Sequence, residues 1–167
     1  MNTNLTIKSK EVLFISIFDH WLNENEADEC KYLNYDIACD NNALEKYMIG
    51  ENIFINFYRN LESKAILIIN DKKIIVDTSS NEFINRLQDG LRERIFLKIY
   101  YETYQMEVQC GYDRTDTLIL TEDSINRGIL DVIEKSPLYI LDKMDYLSYM
   151  KAQDSLEAVL NLSPDGE

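Results

Sequence analysis

The stretch Asn52 to Asp77, NIFINFYRNLESKAILIINDKKIIVD, decides the fold. It holds three runs dense in β-branched and aromatic residues, Asn52 to Tyr58, Ala65 to Asn70 and Lys73 to Asp77, separated by short polar pieces. Such residues fit a pleated, half-buried surface, so each run reads as a strand. The last two join across Asp71 and Lys72, a connection short enough for a tight hairpin. Just downstream, Ser79 and Glu82 have capping-box spacing and predict a helix with Phe83, Ile84, Leu87 and Leu91 as its inward stripe.

Past that helix, Ile95, Leu97, Ile99 and Tyr101 alternate on odd positions, whereas Tyr104, Met106, Val108 and Cys110 alternate on even ones. A one-residue slip turns the apolar face outward, so the switch near Thr103 predicts a bulge or sharp bend. Gly111 to Asp116 then leads into a further strand, Thr117 to Thr121 (TLILT). The expected architecture is α+β: a central, largely antiparallel sheet with strands near 52–58, 65–70, 73–77, 95–110 and 117–121, and helices at its flanks. No repeat or linker divides the chain, which reads as one domain over 1–167.

On the N-terminal side, Ser9 is placed to cap a helix over Glu11 to Asn23, with Phe14, Ile17, Phe18 and Trp21 buried, although VLFISIF is itself β-prone. The segment NENEADECKYLNYDIACDNN shows no clean period and reads as a loop with short helical pieces. Ala43 to Met48 then forms a helical turn stopped by Gly50. On the C-terminal side, Thr121 caps a helix with Ile125, Ile129, Val132 and Ile133 inside, ended by Ser136 and Pro137. Leu138 to Leu141 is too short to assign. Asp154 and Glu157 form another capping box ahead of Leu156, Val159 and Leu160, and the tail over 163–167, SPDGE, is expected to fray.

Charge narrows the function. Lys and Arg number 17 against 30 Asp and Glu, a net of −13. Residues 1–50 carry 4 basic and 9 acidic side chains, residues 51–100 carry 8 and 7, and residues 101–167 carry 5 and 14. A surface this acidic does not grip nucleic acid or anionic lipid, which call for Lys and Arg stripes. No apolar run approaches the roughly 20 residues of a membrane span. After VLFISIF come Asp19, His20 and Trp21 rather than a small-residue cleavage site, and Cys30, Cys39 and Cys110 cannot all pair. These features point to a reducing cytoplasm.

The residue inventory leaves catalysis little to work with. His20 is the sole histidine and reads as a surface residue. The five glycines are isolated, so no GxGxxG or GxxxxGK phosphate cradle exists. Cys30 and Cys39 lack zinc-ligand spacing, and the carboxylates around Asp36 to Asn42 and Asp113 to Asp123 miss the EF-hand template. The expectation is therefore a protein that is not an enzyme and holds neither cofactor nor metal.

What remains is a surface. Asp19 to Glu45 carries eight acidic residues against Lys31, interleaved with Trp21, Tyr32 and Tyr35. Acidic groups steer a basic partner over long range, and Tyr and Trp supply contact area at small rotamer cost. Such a run also serves as an ordinary solvated face. The candidate partner-binding residues are Glu24, Glu26, Asp28, Glu29, Tyr32, Tyr35, Asp36 and Asp40, joined from a second acidic stretch by Asp113 and Asp116. Asp142, Asp145, Tyr146 and Tyr149 form a third set, whose tyrosines read as packing.

With its charge of −13 and the stretch WLNENEADECKYLNYD, the chain resembles contact-dependent growth inhibition immunity proteins. The resemblance is one of composition over the whole chain. It implies a small cytoplasmic protein that binds a cognate bacterial toxin domain, a basic ribonuclease or deoxyribonuclease, with no direct contact to nucleic acid or membrane. A general nucleic-acid mimic and a carboxylate-dependent hydrolase are the alternative readings.

Overall fold

The run VLFISIF folds as a strand through Ser16, within β1 (Lys10–Ser16), where the sequence pointed to a helix. Leu13 and Ile15 point into the main core, while Val12 and Phe14 pack on the opposite face. An apolar run over both parities belongs to a strand covered on both sides, so the β-prone alternative prevails. The computed structural model describes residues 10–161, and side chains as far as residue 155; Ser9 lies outside them, as do the side chains of Leu156, Val159 and Leu160 and the tail over 163–167.

After β1 come two short helices, α1 (Glu24–Glu29) and α2 (Tyr35–Asp40), and a long one, α3 (Leu44–Arg59). The hairpin β2 (Lys64–Ile69) and β3 (Lys72–Asp77) leads to α4 (Asn81–Leu91), then to β4 (Lys98–Tyr101), β5 (Met106–Gln109) and β6 (Thr115–Thr121). Helices α5 (Glu122–Asn126) and α6 (Ile129–Glu134), strand β7 (Tyr139–Asp145) and helix α7 (Tyr146–Asn161) follow. The seven strands of the described residues form one antiparallel sheet in the order β3-β2-β4-β5-β6-β1-β7. The protein is α+β. Side chains from α3, α4 and α6 fill the main core on one face, and Tyr149 of α7 covers Val12 and Ile119 on the other.

Helix α3 overturns the strand expected over 52–58 and the stop expected at Gly50. Its buried residues Tyr47, Glu51, Phe54 and Tyr58 recur every three or four positions, the helical period. A Cβ at Gly50 would stand 2.1 Å from Nη2 of Arg114, so this glycine admits a side chain instead of ending the helix. Glu51, buried on the same face, accepts 2.7 Å bonds from both Nε and Nη2 of Arg92 and so ties α3 to the residue that follows α4.

The β2–β3 turn is Asn70–Asp71, one residue earlier than expected; their φ values of 48° and 62° are those of a type I′ turn. The cap of α4 is Ser80, whose Oγ accepts from Phe83 N at 3.1 Å, because Ser79 is engaged by Asp77. The bend expected near Thr103 is the β4–β5 turn. Thr121 caps α5 as expected, with reciprocal bonds to Ser124. The helix expected to continue to Ser136 is broken at Gly128, whose φ of 78° separates α5 from α6. Of the unassigned stretch Leu138 to Leu141, the last three residues open β7, which is an edge strand among the described residues; α7 starts beside Asp145, which accepts from Ser148 N and Oγ, so Asp154 sits inside a helix rather than capping one.

Candidate interaction surface

Between β1 and α3 the chain leaves the sheet as an arm built from α1 and α2. Asn23 starts α1 with a reciprocal cap: its Oδ1 accepts from Glu26 N at 3.1 Å, and Glu26 Oε2 accepts from Asn23 N at 2.9 Å. The helix buries none of its residues, so Glu24, Glu26, Asp28 and Glu29 all stand in solvent. Glu24 and Glu26 lie in the first turn, where the helix dipole favours anions. Asp28 and Glu29 sit near the C-terminus, where it favours cations. Among the described residues, Glu24, Asp28, Glu29 and Asp36 form no ion pair with a basic side chain.

His20, half exposed as expected, fastens the arm. Its Nδ1 lies 2.6 Å from Asp19 Oδ1 and its Nε2 lies 3.2 Å from Glu26 Oε1. The hydrogen bond to Asp19, then that to Glu26, raise its pKa above the ordinary value; the bond to His20 lowers that of Asp19, and the Asn23 amide lowers that of Glu26.

Helix α1 stands between two clefts. One, of about 640 Å³, is lined by Phe18, Glu26, Glu29, Tyr32, Glu45 and Lys46. The other, of about 360 Å³, is lined by His20, Trp21, Ala27, Tyr112, Asp113 and Thr117 among others. Trp21 is 50% and Tyr112 75% exposed on the rim of this second cleft, the amphipathic rings that anchor interfaces. The cleft brings Asp113 to the arm across more than eighty residues of sequence. A further carboxylate, Glu93, joins there: its Oε1 accepts from Asp113 N at 3.1 Å. Burial raises the pKa of Glu93, the hydrogen bond from the Asp113 amide opposes the rise, and the charges of Asp113 and Asp36 add to it. Nothing in LRERI marked Glu93 beforehand.

The tyrosines of the arm are turned inward. Guanidinium groups of Arg92 and Arg94 lie 4.4 and 5.1 Å from the ring centre of Tyr35, which also meets Tyr47 edge-on at 5.4 Å. Tyr32 is flanked by Phe18 and Lys46, and its carbonyl accepts from Arg114 Nη1 at 3.3 Å. Asp36 and Asp40 are exposed on α2.

Asp116 does not belong to this surface. It is 1% exposed; its Oδ2 accepts from the Tyr58 hydroxyl at 2.6 Å and its Oδ1 from Gly111 N at 3.0 Å. Burial pushes its pKa up to about 6. Its neighbour Arg114 is buried too, donating to Tyr47 O at 2.8 Å and lying 4.3 Å from the Tyr47 ring centre, so the hairpin turn that displays Asp113 is anchored beneath α3.

Among the described residues, no group of three or more His, Cys, Asp or Glu is placed to hold a metal ion, and no helix is long and apolar enough to cross a membrane. The surface offers electrostatic attraction through its exposed carboxylates and aromatic contact through Trp21 and Tyr112. No family model, curated protein or solved structure matches the chain.

Proposed function

We propose that this protein is an immunity protein: it binds a cognate, basic toxin domain, a ribonuclease or deoxyribonuclease, and neutralises it by occupying the surface where phosphates would bind. The observation that carries this reading is α1, whose four acidic residues bury nothing and include two at the end where the helix's own field disfavours them. The dipole of α1 does not account for Asp28 and Glu29, and their exposure supports a role in attracting a positive partner. A specific interface needs roughly 20 to 30 residues on each side, so the contact extends from α1 across Trp21 and Tyr112 to Asp36, Glu93 and Asp113. The protein acts by binding rather than catalysis, in the cytoplasm, without touching nucleic acid directly.

The test is kinetic. Once the partner is captured from the source cell and identified, its association should slow at least about tenfold from low to high salt. Charge reversal at Glu24, Asp28 or Asp36 should act mainly on the on-rate. An on-rate indifferent to salt overturns the reading, and equal affinity for unrelated basic nucleases points instead to a general nucleic-acid mimic.

A further inference from the structure

Among the described residues, strand β3 pairs with β2 alone, and its other edge is open. The two-residue turn makes Ile69 and Lys72 the closing hydrogen-bonded pair of the hairpin. Antiparallel alternation then directs the backbone groups of Lys72, Ile74 and Val76 toward β2, and those of Lys73, Ile75 and Asp77 toward the open edge. Ile75 is 72% exposed and stands beside Ile66, which in turn stands beside Tyr100, in one row across the sheet face. Ile74, on the opposite face, is 36% exposed.

We propose that β3 pairs antiparallel with β3 of a second copy of this chain, about a twofold axis at Ile75. In this register Ile75 meets Ile75 of the second copy, Lys73 faces Asp77 and Asp77 faces Lys73, while Ile74 meets Val76 on the other face. The outward-directed residues Lys73, Ile75 and Asp77 all fall in hydrogen-bonding positions. Charge selects this register over its neighbours. Centring the axis one residue earlier sets Lys73 against Ile75 and leaves Asp77 opposite the turn; centring it one residue later sets Ile75 against Asp77.

Lysines on an edge strand ordinarily deter pairing with another chain. Here Asp77, four positions after Lys73, supplies the opposite charge where an antiparallel copy needs it, which turns a deterrent into a register device. The Asp77 carboxylate is already oriented, accepting from Ser79 N at 2.8 Å and Ser79 Oγ at 2.6 Å. The acidic arm leaves the sheet from β1, five strands from β3 or about 24 Å at the usual strand spacing, so this contact leaves it uncovered and does not depend on what it binds.

Sedimentation equilibrium of the full chain across the micromolar range tests the proposal, with circular dichroism to establish that each variant is folded. The expected mass is that of a dimer. Ile75→Pro abolishes it while sparing the β2 ladder, because the N–H removed is an outward one; Ile75→Lys is the second variant should the proline unfold the strand. Lys73→Glu and Asp77→Lys each weaken self-association by about tenfold or more, and an equimolar mixture of the two restores it, since each altered charge then meets its opposite. A monomer at every concentration, a dimer indifferent to both Ile75 variants, or a mixture that stays as weak as its components would overturn the proposal.

Discussion

Asp116 takes a carboxyl group into the core, and the cost depends on pH. Burial raises its pKa from an ordinary 3.8 to about 6, so the folded protein holds this proton more tightly than the unfolded chain does. Its favourable contribution is therefore complete below about pH 4 and is lost as the pH rises through 6, a change of order 2–3 kcal/mol. Asp116→Asn keeps a polar partner for Gly111 N and Tyr58 but carries no charge. Its stability relative to the parent, read from urea denaturation, should improve by about 2 kcal/mol between pH 4 and pH 7.5. A difference that stays constant over that range refutes this account. The sequence held the signal for this burial: position 116 shares its parity with Leu118 and Leu120, which are both in the core. The strand was expected to start at Thr117, two residues late, and an aspartate outside a strand defaults to solvent.

At the scale of elements, the seven residues NIFINFY do not separate a strand from a helix, because a short apolar run satisfies both periods. The deciding information lies outside that window. Tyr47 and Glu51 extend the helical spacing backward, but Glu51 is a charge and becomes an inward residue only through Arg92, 41 positions away. Gly50 misleads for a related reason, since the group it makes room for arrives from the β5–β6 turn. The hairpin, the α4 stripe and the Thr121 cap were legible because their causes are local. Gly128 shows how little chemistry an element boundary requires. A Cβ there would meet nothing within 4 Å, so only its left-handed φ of 78° calls for glycine. Gly128→Ala should lower stability by about 1 kcal/mol, and Gly128→Asn by less, as measured by chemical denaturation. Equal losses for the two would show that the cost is not conformational.

For the whole molecule, a net charge of −13 acts on the fold as well as on a partner. Like charges spread over a small domain repel one another, and salt screens the repulsion. The melting temperature of the isolated protein should therefore rise by several degrees as sodium chloride increases, while association with a basic partner slows. A melting temperature that falls with sodium chloride would show that the attractive pairs, such as Arg92 with Glu51, outweigh the repulsion. Division of the charge by region anticipated that the arm is acidic. It did not anticipate that Glu93, from the nearly neutral middle third, feels the charges of Asp36 and Asp113, because only the folded chain brings the segment after α4, the arm and the β5–β6 turn together.

The position of β1 governs the order in which the molecule is built. Its register runs from Lys10 opposite Thr121 to Ser16 opposite Thr115, and its other neighbour is β7, later still in the chain. Strand β1 thus has partners some hundred residues downstream, which at about 5–20 residues per second means a wait of roughly 5–20 seconds. Through that interval KEVLFIS, apolar on both faces, travels unpaired, while the β2–β3 hairpin can close as soon as it emerges.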